Sequence, residues 1–207
     1  MNEPREPRVR EEVVLPFPGP RDTLAPATAY RSTWLVSSLQ SLRERGHFES
    51  YRRLLSAHHD TILSALAGSW LPMDVARAHY DACDRLGLDT EEQLAMGQSV
   101  GGRAQGTVLS SAVKAARGAG VTPWTIVPQF HRLYQRGVNG GGAGVFKLGP
   151  KEARAEFIGC ALFDIDYFRH AFRGVLLNVG ALFCEKQYIH DMPRRRRGEA
   201  IFKLQWA

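Results

Sequence analysis

Apolar and polar positions alternate most clearly near the end of the chain. In Lys151 to Ile158, Ala153, Ala155 and Phe157 alternate with Arg154, Glu156 and Ile158. This is the two-residue period of a strand with one buried face. Val145 to Leu148 is its expected partner, joined to it by Gly149 and Pro150, residues suited to a tight turn. Beyond Cys160 the period lengthens: Phe168, Phe172, Val175, Val179 and Leu182 recur at steps of three and four, the apolar stripe of a helix. Asp164 or Asp166 is placed to cap its first turn. A second hairpin follows, Gln187 to Met192 and Glu199 to Trp206, with Ala200, Phe202, Leu204 and Trp206 on one face. Its connection carries Arg194 to Arg197, where like charges are readily solvated.

The first half reads as helices. Residues 1–28 hold six prolines among mixed charges and predict an extended or disordered arm, in which Val13 to Phe17 could add an edge strand. Tyr30, Trp34, Leu35, Leu39 and Leu42 are spaced for a helix over Ala29 to Gly46, and Phe48 to Leu66 continues as one or two more. Pro72 suits the first turn of a helix running to Leu86. Asp89 or Thr90 caps another, which meets Gly101 and Gly102 and resumes to about Arg117. Thr122 and Pro123 open an aromatic helix that Pro128 shortens or kinks. The NGGGAG run, Asn139 to Gly144, reads as a flexible joint. The expectation is an α+β fold, with a helical part over 29–138 packed on an antiparallel ββαββ module over 144–207, the two making one domain over 29–207.

Composition narrows the function only slightly. Of 207 residues 44% are hydrophobic and 23% charged, an ordinary globular balance, and the net charge is +6. Cys83, Cys160 and Cys184 are odd in number and widely spaced, which points to reduced thiols and a cytoplasmic setting. No run of about 18 apolar residues suggests a membrane span, and MNEPREPRVREE lacks the apolar core of a signal peptide.

An SWLP step at Ser69 to Pro72, the W…P…F…LY helix, the Gly-rich link and the ββαββ ending together resemble an uncharacterised myxobacterial paralogous family. Trp70, Pro72, Trp124, Tyr134, Gly159 and Trp206 carry the likeness. More distantly the layout is similar to the superfamily of four-vinyl-reductase, heme-NO-binding-like and Golgi transport particle subunit domains. That resemblance implies a ligand-binding or dimerising regulatory module. The Cys-rich ending of four-vinyl-reductase domains and the Tyr-x-Ser-x-Arg signature of heme sensors are absent, and no cofactor is expected.

Candidate chemistry is sparse, with no catalytic set and no metal site expected. Asp164, Asp166 and His170 could form an acid–base group, but a helix cap and a local pair explain the same residues without catalysis and are the favoured reading. His58, His59 and Asp60 point in different directions on a helix, and His131 reads as a partly buried core residue rather than a heme ligand. NGGGAG lacks the Gly-Lys-Ser/Thr that a phosphate loop needs. The leading reading is a non-enzymatic regulatory or adaptor domain, a homodimer, that binds a small apolar ligand or a protein partner. Trp124, Phe130, Tyr134 and Phe168 would line the ligand cavity. The alternative is a basic module gripping nucleic acid or an anionic membrane through Arg194, Arg195, Arg196 and Arg197.

Overall fold

The alternation at the end of the chain builds the larger of two sheets. In the computed structural model, which describes residues 11–105 and 122–207, β1 (Glu12–Leu15), β5 (Gly142–Gly149), β6 (Glu152–Ile158), β8 (Ala200–Trp206) and β7 (Gln187–Met192) pair antiparallel in that order. The smaller sheet sets β2 (Ala29–Arg31) between β3 (Trp70–Pro72) and β4 (Val138–Asn139). The helices are α1 (Ser32–Glu44), α2 (Phe48–Leu54), α3 (His59–Leu63), α4 (Met73–Asp84), α5 (Thr90–Gln105), α6 (Pro123–Ile126), α7 (Phe130–Gly137) and α8 (Asp166–Gly180). The fold is α+β, and the ββαββ order over 142–206 is as the pattern predicts. None of the described helices is long and apolar enough to cross a membrane. The expected continuation of α5 to Arg117 falls outside the described residues.

Alternation decides which face of the large sheet is covered. Val145, Ala153, Ala155, Phe157, Phe202 and Leu204 are buried on one side, beneath the Phe168, Phe172 and Leu176 stripe of α8. Phe172 is the hub. Its ring meets Phe157 edge-on at 4.8 Å and lies 5.2 Å from Phe163 and 6.2 Å from Phe202.

Several expectations change on folding. Tyr30 lies not in a helix but in β2, because Ser32 anchors the start of α1: its Oγ donates to the Leu66 carbonyl at 2.7 Å and accepts the Ser69 N–H at 2.9 Å. NGGGAG is structured rather than a loose joint: Asn139 ends β4, Gly140 and Gly141 take positive φ (95° and 66°), and Gly142 to Gly144 open β5. A Cβ on Gly144 would meet the Phe17 ring at 3.0 Å. Neither Asp164 nor Asp166 accepts the first-turn bond of α8. Asp84, ending α4, accepts the Tyr167 N–H at 2.8 Å, while Asp164 accepts the Gly198 N–H at 2.8 Å.

Within 11–28, the segment is extended and paired over β1, and its Phe17 lies against Phe146 and Gly144 on the sheet's second face. Arg21 then reaches two buried carboxylates at once, Glu156 on β6 through Nη1 and Glu199 through Nη2. Arg154 also donates to Glu156, from Nε at 2.7 Å. Buried carboxylates without such partners would be costly, so this contact fixes the segment to the sheet.

Candidate functional site

Pro128 determines the geometry of the site. It lacks an N–H and cannot continue α6, so a 3-10 turn over Val127–Gln129 intervenes before α7. The resulting α6–α7 segment spans the gap between the sheet and the helical layer and is held at both ends. At one end the Trp124 indole N–H donates to the Pro150 carbonyl at 2.7 Å and its ring meets Trp206 edge-on at 4.9 Å. At the other, Gly137 lies so close to the Trp34 indole that a Cβ there would come within 3.0 Å of the ring. α7 therefore bridges over α8 rather than sinking onto it.

Beneath the bridge is a cavity of about 170 Å³. Phe130, Leu133 and Tyr134 of α7 form its roof, Phe172, Val175, Leu176 and Val179 of α8 its floor, and Phe157, Trp34 and Gly101 its sides. Among the described residues, Arg136 is the one charged residue that lines it. For scale, an apolar cavity of about 150 Å³ is enough to take up benzene and stay dry. The Tyr134 ring lines the wall, but its hydroxyl turns away to the Gly141 and Cys160 end of the sheet. Burial raises its pKa well above the usual phenol value and pushes the Cys160 thiol up to about 11, so both stay protonated at neutral pH.

The structure thus brings together Phe130 and Tyr134 of the four expected lining residues and separates the other two. Trp124 is engaged with Pro150 and Trp206, and Phe168 lies on the opposite flank of α8, packed 4.7 Å from Tyr80. Trp34 and Arg136 lie outside the expected set. The i, i+4 spacing of Phe130 and Tyr134 signals the roof, but nothing local marks Trp34, which arrives through the fold.

The remaining candidates are engaged elsewhere. Asp166 pairs with Arg169 at 3.1 Å, not with His170, whose buried Nδ1 has no hydrogen-bond partner. Burial, reinforced by Arg169 and Arg173, holds the His170 pKa below its usual value. His58 adopts positive φ (57°) and faces Asp74 at 3.5 Å. His131 keeps a buried Nδ1 without a partner and does not line the cavity. Among the described residues no group of three or more His, Cys, Asp or Glu is placed to hold a metal ion.

The arginine run is largely spent on the protein itself. Arg194 donates to the Phe163 carbonyl at 3.0 Å and pairs with Asp164 at 3.5 Å, Arg196 pairs with Asp22, and Arg197 lies 3.7 Å from Asp164. Glu199 accepts the Arg195 and Arg196 backbone N–H groups at 2.9 and 3.2 Å.

No protein-family model and no curated protein matches the chain. Solved structures do. An oxygen-binding H-NOX domain related to soluble guanylate cyclases superposes with a TM-score of 0.54 at 9% identity, over 85% of this chain and 94% of that one. A mutant of the T. tengcongensis H-NOX gives 0.54 at 10% identity, over 85% and 97%. A further structure, determined to probe heme distortion in the H-NOX family, gives 0.55 at 10%, over 85% and 94%. At such identities the likeness is one of fold, and this chain has the fold of the H-NOX domains.

Proposed function

We propose that this protein is a non-enzymatic regulatory domain that takes up a small apolar ligand in the cavity between α7 and α8 and signals its occupancy as a homodimer or to a protein partner. The observation that carries the reading is the cavity itself, a space of about 170 Å³ whose described walls are almost entirely apolar. Its walls come from α1, α5, α7, α8 and β6, so a ligand there touches both the helical layer and the sheet. Filling it would alter how the two are held. The fold supports the reading as well, since an H-NOX neighbour is an oxygen-binding domain related to soluble guanylate cyclases.

The heme of the H-NOX structures does not fit these residues. The cavity is only slightly larger than one that takes benzene, far short of a porphyrin. Among the described residues its lining includes no His, Cys or Met, and the one Tyr directs its hydroxyl away. Residues 106–121, GTVLSSAVKAARGAGV, contain none of these four residue types either. The ligand of this reading is therefore a small organic molecule without iron. The basic-surface alternative has weaker support, because three of the four guanidinium groups already face carboxylates of the same chain.

Indole is a suitable probe. Ligand-observed NMR on the full chain should detect its binding, and Leu133→Trp, which fills the cavity from a half-buried position on α7, should abolish it. Binding that survives this substitution unchanged would refute the site. Native mass spectrometry of the purified chain tests the homodimer and any ligand carried with it in one spectrum.

A further inference from the structure

We propose that the ligand of this cavity is an apolar carboxylate, a small aromatic or aliphatic acid whose carboxylate is held by Arg136. The inference rests on the apolar-cavity reading above and adds the polar end of the ligand. Arg136 stands in the last turn of α7, is solvent-exposed, and is the sole charged side chain among the described lining residues. It makes no hydrogen bond or ion pair with any described residue. By contrast, Arg21, Arg103, Arg154 and Arg169 each pair with a carboxylate of the chain.

An exposed arginine that lines an apolar cavity selects for one ligand class. Its apolar stem can run along the wall while its planar fork presents two parallel N–H donors to a carboxylate at the rim. Phe172, Val175, Leu176 and Val179 on the floor offer only apolar contact, so the body of the ligand carries no polar group there. A cationic ligand would meet like charge at the entrance, and a neutral one would gain only the apolar contacts. The positive charge also suits the C-terminal carbonyls of α7, but that role does not require the side chain to line the cavity.

The test compares three probes that share one ring system: indole, indole-3-carboxylate and tryptamine. Each is titrated calorimetrically into the wild-type chain, Arg136→Met, Arg136→Lys and Leu133→Trp. The carboxylate should bind about tenfold tighter than indole, as a charged hydrogen bond warrants, and tryptamine more weakly than indole. Arg136→Met keeps the apolar stem and should bring the carboxylate down to the affinity of indole while leaving indole unchanged; Arg136→Lys should keep part of the advantage. Salt should erode the preference for the carboxylate and spare indole.

If indole binds and is lost in Leu133→Trp but the carboxylate binds no better, the carboxylate inference falls and the apolar cavity stands. If the preference persists in Arg136→Met, Arg136 is not the recognising group and the inference falls as well. If no probe binds, both the inference and the cavity reading fail.

Discussion

The two flanks of α8 show opposite solutions to packing one helix against another. Against α5 the contact is closed: a Cβ on Gly97 would sit 1.8 Å from the Ala171 carbonyl oxygen, and one on Gly174 would sit 2.1 Å from that of Leu94. Backbones touch there, and only about 20 Å³ is left beside Tyr30, Tyr80 and Met96. Against α7 large side chains face one another under a bridge pinned at both ends, and the gap stays open. Small residues give a seam that tolerates nothing, and large residues on a suspended helix give a space. Tight packing on one side fixes α8 firmly enough for the other side to remain unfilled.

The contrast is broken most severely by adding one methyl group to the closed flank. Gly97→Ala should cost about 3 kcal/mol, because the colliding atom is backbone and cannot rotate away, and denaturant titration measures it directly. Next in size is acid. Behind the closed flank, His79 is fully buried between the Tyr51 hydroxyl at 2.8 Å and Ser38 Oγ at 3.0 Å, and burial lowers its pKa to about 3. The unfolded ring takes its proton near pH 6.5, so the stability from the neutral ring is complete above that pH and is lost as pH falls toward 3. Between pH 7 and 5 it should amount to about 2 kcal/mol. The comparison of wild type with His79→Gln at both pH values isolates it from the carboxylates. The smallest effect belongs to the open flank. Leu133→Trp should raise stability by about 0.5 to 1 kcal/mol, a gain typical of cavity filling, seen as a higher thermal midpoint. A loss of several kcal/mol there would mean that the two flanks are equally tight.

These differences mark what can be read in advance. The ββαββ module is legible because its strands are long enough to show a period of two and its helix carries an unbroken stripe. β2, β3 and β4 have two or three residues each, too few for any period, and so Tyr30 reads as part of a helix. Glycines conceal alternation entirely, which is why the start of β5 reads as a joint until Phe17 is placed over Gly144. The α8 stripe announces Phe168 and Phe172 as buried without indicating which neighbour each will face. Trp124 has the size of a lining residue, but its indole N–H needs an acceptor and finds Pro150 outside the cavity. Arg136, a charge in an apolar setting, is the kind of residue that a search for hydrophobic lining passes over.

The Arg21 contact has a consequence for the order in which the molecule is made. Arg21 is separated from Glu156 by 135 residues and from Glu199 by 178. On the ribosome it emerges before β5, β6 and β7 and waits through their synthesis before its second carboxylate exists. Closing so long a loop carries an entropic cost that the contact repays only once β6 and β8 are already paired. The segment that carries Arg21, made before those strands, thus completes its contact only once Glu199, just before β8, is in place.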